Sequence, residues 1–265
     1  LSTIAGYEPG KLIGTAFKAS FALAQTEENG QELIVEEANW LRGAEWADSL
    51  GTDIISSSLG YSTFDNPLHN HRYADLNGKS TLVSKAASWA ASKGILCTIS
   101  AGNEGANEWK YITAPADADS IVTVGSVNAL GVLSTFSSIG PSFDGRIKPE
   151  VVALGSNTVV GKTDGTVGIS NGTSFSAPLV AGLAAGLMQS FPTHTALQIR
   201  NAILKSGSQF SRTDMLLGFG LPTFDKASTA IELILGNLEE PNLRIYPNPV
   251  NPGDALHISI PFHSA

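Results

Sequence analysis

The chain is 265 residues long with 42% hydrophobic and 15% charged residues, enough to bury one large α/β core plus a small appendage. Its 24 acidic and 16 basic side chains give a net charge of −8, and no basic stripe appears, which argues against nucleic acid as a partner; no apolar run is long enough to span a bilayer. The single cysteine, Cys97, excludes an internal disulfide; its place in an apolar run marks it as a core residue and leaves the redox compartment undecided.

Leu1–Gly6 reads as a small-residue helix, followed by Leu12–Ala16 and by an apolar run, Ala19–Ala24, with the character of a strand. From Val35 to Leu50, Trp40, Leu41, Ala44, Ala47 and Leu50 recur at helical spacing, with acids toward the start and Gly51 as the stop. Asp53–Ser58 is the next expected strand, Tyr61–Lys79 a polar loop, Thr81–Lys93 a helix and Ile95–Ser100 a buried strand. Ile121–Gly125 and Glu150–Ala153 supply later strands. The run from Pro178 to Phe191 is small or apolar on nearly every face, which places that helix inside the domain; Pro178 is expected in its first turn. Thr193–Ser206 and Asp225–Leu235 are the last two helices expected. Alternation of helix and strand argues for a parallel sheet. Gly236–Pro241 has the composition of a linker, so the expected divisions are a domain over 1–236, a linker over 237–241 and a separate segment over 242–265.

Two stretches bring chemistry to this scaffold. Ser174, just ahead of Pro178, would sit at the positive end of a buried helix beside unpaired backbone N–H groups, where a nucleophile's oxyanion is stabilised. The plainer reading is that Thr173 or Ser174 caps the helix. Asn103 follows the strand Ile95–Ser100 among glycines, where its amide could donate to an oxyanion or form an Asn-Glu-Gly turn.

Together, Ser100-Ala101-Gly102-Asn103-Glu104-Gly105 and Asn171-Gly172-Thr173-Ser174-Phe175-Ser176-Ala177-Pro178 resemble the subtilisin-like serine peptidases, the subtilases. Ser58-Leu59-Gly60, Thr113-Ala114-Pro115-Ala116, Phe136–Pro141 and Lys148-Pro149-Glu150 resemble further family motifs, over roughly residues 1 to 235. The resemblance implies a three-layer αβα fold around a parallel sheet, lacking its N-terminal strands, with a short β segment at the C-terminus. It implies Ser174 as nucleophile and Asn103 in the oxyanion hole. Ser58, Leu59, Gly60, Ser100, Ala101 and Gly102 would form the edges that pair with a peptide, and Thr113, Ala114, Pro115 and Ala116 the turn at the base of the first specificity pocket, with Ala114–Pro115 cis. Small residues at these positions leave room for medium to large apolar side chains, and no charged residue lines them. The opening residues resemble the stretch just after the family's His-Gly-Thr motif, which implies that the catalytic histidine and aspartate precede Leu1 and that this chain alone is inert. Two strands, near Ala19–Ala24 and Ile54–Ser57, would then face a gap that a missing N-terminal segment of the same domain fills. Leu243–Val250 resembles the opening of the β-sandwich sorting domains of bacterial type IX secretion cargo, implying a secreted or cell-surface protein that meets that secretion machinery.

Other candidates are weaker. His69 and His71 alternate in a loop, a pattern more often a polar surface than a replacement base or a metal site. Asp75-Leu76-Asn77-Gly78 with nearby Asp65 alternates oxygen donors around a turn glycine but is far from a complete calcium loop; the resemblance leaves a structural calcium open, with a polar turn as the alternative. Glu36, Glu37 and Glu45 invite comparison with the sedolisins, yet those carry an aspartate where Asn103 stands. Beyond a serine endopeptidase, two readings remain: a catalytically dead subtilase-like binding module, and an adhesion or surface protein.

Overall fold

The computed structural model describes residues 1–237 and two short backbone strands at 244–246 and 257–259. In chain order these are α1 (Ser2–Ala5), β1 (Tyr7–Glu8), β2 (Leu12–Ile13), α2 (Val35–Ser49), β3 (Ile54–Ser57), α3 (Leu82–Ser92), β4 (Leu96–Ser100), β5 (Val122–Val127) and β6 (Val151–Leu154). They continue as β7 (Thr158–Gly161), β8 (Val167–Ser170), α4 (Thr173–Ser190), α5 (Ala196–Lys205), α6 (Phe224–Asn237), β9 (Arg244–Tyr246) and β10 (His257–Ser259).

Four parallel strands in the order β3-β4-β5-β6 form the central sheet, with Ile55 opposite Cys97, Ile99 opposite Thr123 and Gly125 opposite Val152. Every residue of β4 and β5 is buried, as expected of parallel strands covered on both faces. On one face α2 and α3 pack Trp40, Val83, Ala86 and Ala87 against Cys97 and Ile99. On the other, α4 lies across all four strands, and α5 and α6 close the layer, burying Val180, Ala184, Ile199 and Ile203 against Val122 and Val124. This is the expected three-layer αβα arrangement. Burial pushes the Cys97 thiol up to about 12, which fits a core residue and not a reactive one.

Three expectations change. Ala19–Ala24 is not a strand: it joins no ladder among the described residues, and Phe21 and Leu23 are exposed. Apolar character cannot make a strand without a neighbouring ladder, and β3, the sheet's edge, pairs only with β4. Pro178 is not in the first turn, because α4 starts at Thr173 and Pro178 is its sixth residue. The linker composition at Gly236–Asn237 is overridden by α6, which runs through both residues. The remaining linker and most of 242–265, with the sorting-domain reading, lie outside the described residues; β9 and β10 pair antiparallel.

Candidate active site

Gly172 opens α4 with φ +148°, a value L side chains rarely adopt, and offers no side-chain cap. The cap comes from another strand end. Asn103, three residues beyond β4, accepts at Oδ1 from the Thr173 N–H (2.9 Å) and from Thr173 Oγ1 (3.0 Å). The Thr173 N–H can only donate, so the oxygen is assigned to that side of the amide and Nδ2 is left as a donor facing the other way. An added Cβ at Gly172 would lie 3.7 Å from Nδ2. Ser174, the second residue of the helix, is half-buried, and its N–H forms no hydrogen bond among the described residues. Its hydroxyl donates to Ser58 O at 3.3 Å, and Ser58 Oγ donates to Ser174 O at 2.9 Å. At the start of α4 the Ser174 N–H and Asn103 Nδ2 are thus two donors left unused among the described residues.

The predicted peptide-binding stretches converge here. Ser58, Leu59 and Gly60 follow β3; Ser100 ends β4, and Ala101 and Gly102 follow it. Ser100 Oγ donates to Leu59 O at 3.4 Å, and Thr113 N–H donates to Ala101 O at 3.2 Å. Tyr61 and Ala114 bond each other's backbones in both directions, at 2.7 and 3.0 Å. Ala114–Pro115 is cis, as expected; Gly140–Pro141 and Lys148–Pro149 are cis as well. Thr113 stands between the two edges: an added Cβ at Gly60 would lie 2.1 Å from its Oγ1, and one at Gly102 2.9 Å. That hydroxyl is buried and has no hydrogen-bond partner among the described residues. Thr113, part of the turn expected at the base of the first pocket, thus also lies against both edges.

Beneath that turn lies a buried ionic network. Lys148 Nζ, fully buried, donates to Ala118 O (2.9 Å), Thr123 Oγ1 (3.0 Å) and Glu150 Oε1 (2.7 Å). Thr123 Oγ1 donates in turn to Ala116 O at 2.6 Å, and Arg200 reaches Glu150 Oε1 at 3.3 Å. The Lys148-Pro149-Glu150 motif therefore braces the 113–118 turn.

The remaining candidates do not gather at Ser174. His69 is exposed, whereas His71 Nε2 meets Glu37 Oε1 at 2.5 Å, and Glu37 also accepts from Val83 N. Glu36 accepts from the N–H groups of Glu28 and Leu33. Asp75 and Asn77 spend their oxygens on Arg72 and on Lys79 N, so they are a polar turn and not a ready calcium loop. Carboxylate oxygens of Glu27, Glu32 and Glu36 do lie within 4.8 Å of one another, in a recess that Asp65 also lines. Burial first, then the charges of Glu36, Glu27 and Asp65, hold the Glu32 carboxyl above the ordinary glutamate value. The folded protein therefore binds that proton more tightly than the unfolded chain does, and this stability is lost as pH rises through the folded value. Glu32→Gln is expected to raise Tm only slightly near neutral pH, by about 1–2 °C at most, because solvent screens this part-exposed carboxyl. The gain should vanish on the acid side of the ordinary glutamate range, as thermal melts across pH would check.

A profile of the subtilase family matches residues 2–220. The chain belongs to that family. It is 34% identical over 185 residues to subtilisin NAT of Bacillus subtilis subsp. natto, covering 69% of this chain and 43% of that protein. It is equally similar to the subtilisin of Bacillus pumilus, covering 59% of it. The chain thus spans about half the length of these curated relatives. Among solved structures, the self-cleaved protease domain of PatA superposes with a TM-score of 0.71 at 22% identity, over 87% of this chain and 81% of that one, a likeness of fold.

Proposed function

We propose that the protein is a serine endopeptidase in which Ser174 Oγ attacks the scissile carbonyl and forms an acyl-enzyme. The observation that carries this reading is the hold of Thr173 on Asn103 Oδ1, which leaves Nδ2 and the Ser174 N–H as the pair of oxyanion donors. An extended peptide would add as a strand against the backbones of 58–60 and 100–102. The general base is the part this chain does not supply: among the described histidines, none is hydrogen-bonded to Ser174. The protein acts outside the cell, delivered through its C-terminal segment; no helix among the described residues is long and apolar enough to cross a membrane.

The test is labelling of Ser174 by a peptidyl organophosphonate, with Ser174→Ala as control. This chain would be mixed with an N-terminal segment carrying the family's aspartate and histidine. Labelling is expected only in the mixture, and loss of the histidine in subtilisin, a relative, costs about 2 × 10⁶ in turnover. Equal labelling of the chain alone would place the base within residues 1–265. No labelling in the mixture would favour a dead, binding-only relative.

Thr113 refines the expected specificity. Thr113→Ala removes the hydroxyl between Gly60 and Gly102 and is expected to raise kcat/KM for large apolar side chains at the first pocket over alanine about tenfold. Cleavage of a peptide library by the active mixture reads this directly, and a strict preference for Arg or Lys would overturn the apolar assignment.

A further inference from the structure

We infer that Ser58 is a positioning residue for the nucleophile, its hydroxyl standing in for the helix hydrogen bond that Pro178 removes. This rests on reading Ser174 as the nucleophile. An α-helix bonds each N–H to the carbonyl four residues earlier, and proline has no N–H to give. With α4 starting at Thr173, Pro178 lies well inside the helix, and the carbonyl it leaves without its partner is that of Ser174. Ser58 Oγ donates to that oxygen at 2.9 Å. The same two residues are tied a second time, since Ser174 Oγ donates to Ser58 O at 3.3 Å.

The pairing joins the two elements whose relative placement the reaction needs. Ser58 follows edge strand β3 and belongs to the proposed peptide-binding edge, whereas Ser174 sits on the helix that crosses the sheet. A backbone bond inside α4 would hold Ser174 to its own helix alone. The proline hands that bond to the sheet edge, so the nucleophile's main chain is registered against the strand that aligns the substrate. Ser58 is exposed, so water competes for the carbonyl and the effect is bounded by the net worth of one hydrogen bond.

Restoring the helix N–H supplies the test. In Pro178→Ala the alanine N–H can bond Ser174 O, which makes the Ser58 hydroxyl redundant. Hydrogen exchange of this chain, followed by mass spectrometry over 172–182, is expected to quicken five- to tenfold in Ser58→Ala. In the Pro178→Ala background the same change should alter it less than twofold. Ser58→Thr, which keeps a hydroxyl, should stay near wild type. With the active mixture and a peptide anilide, Ser58→Ala should lower kcat by a similar factor and leave KM nearly unchanged, because the pairing edge is backbone. Equal effects of Ser58→Ala in both backgrounds, or none in the wild-type background, would overturn the proposal. If the exchange pattern appears but no mixture cleaves peptide, the tie from Ser58 to Ser174 stands and the reading of Ser174 as nucleophile falls.

Discussion

Asn103→Ala is expected to slow both peptide hydrolysis and phosphonate labelling of Ser174 by about 10²–10³, a size taken over from the comparable donor in subtilisin, a relative. KM should change little, because the amide faces an oxygen that becomes negative only as the tetrahedral intermediate forms. Two jobs are lost together in that variant: the Nδ2 donor, and the Oδ1 acceptor that caps α4 at Thr173. Thr173→Val separates them. It keeps the N–H bond to Oδ1 and deletes only the hydroxyl that helps hold the amide's orientation, so a loss nearer tenfold is expected. Should Asn103→Ala reduce labelling no more than Thr173→Val does, the amide would be a cap and not an oxyanion donor, and the plainer reading of this residue would win.

Lys148→Met is expected to cost about 3–5 kcal/mol, because it strips the main partner from Glu150 in a buried site and leaves Ala118 O and Thr123 Oγ1 short of a donor. At about 2–4 °C per kcal/mol for a domain of this size, Tm would fall by roughly 10 °C. Arg200, 3.3 Å from Glu150 Oε1, keeps the loss toward the lower end. The double variant Lys148→Met/Glu150→Met should be more stable than Lys148→Met alone, since no uncompensated carboxylate remains. Calorimetric melts of the four proteins form the cycle, and a double variant less stable than either single would refute the ion pair as the source of the cost. Because Thr123 Oγ1 also holds Ala116 O, Lys148→Met should shift the preference at the first pocket as well.

The sequence by itself determined most of the layers and the family to which the chain belongs. Helical spacing from Trp40 to Leu50, the apolar run at Leu96–Ser100 and the nearly all-apolar α4 are local patterns, and each formed where expected because burial on both faces of a parallel sheet demands them. Ser174 and Asn103 are proposed for the chemistry because each lies in a family motif, and the fold brings the two motifs together at Thr173. What the tertiary structure decided concerns partners far apart in the chain. Ala19–Ala24 is as apolar as a strand, yet no ladder meets it. His71 pairs with Glu37 from α2, and Thr113 from a third segment lies against Gly60 and Gly102. The orientation of Asn103 depends on Thr173, 70 residues away, and the carbonyl that Pro178 leaves unpaired is met by Ser58, 116 residues from Ser174. A hydrogen-bond donor and its acceptor need only meet in space, and spacing along the chain carries no record of where that meeting falls.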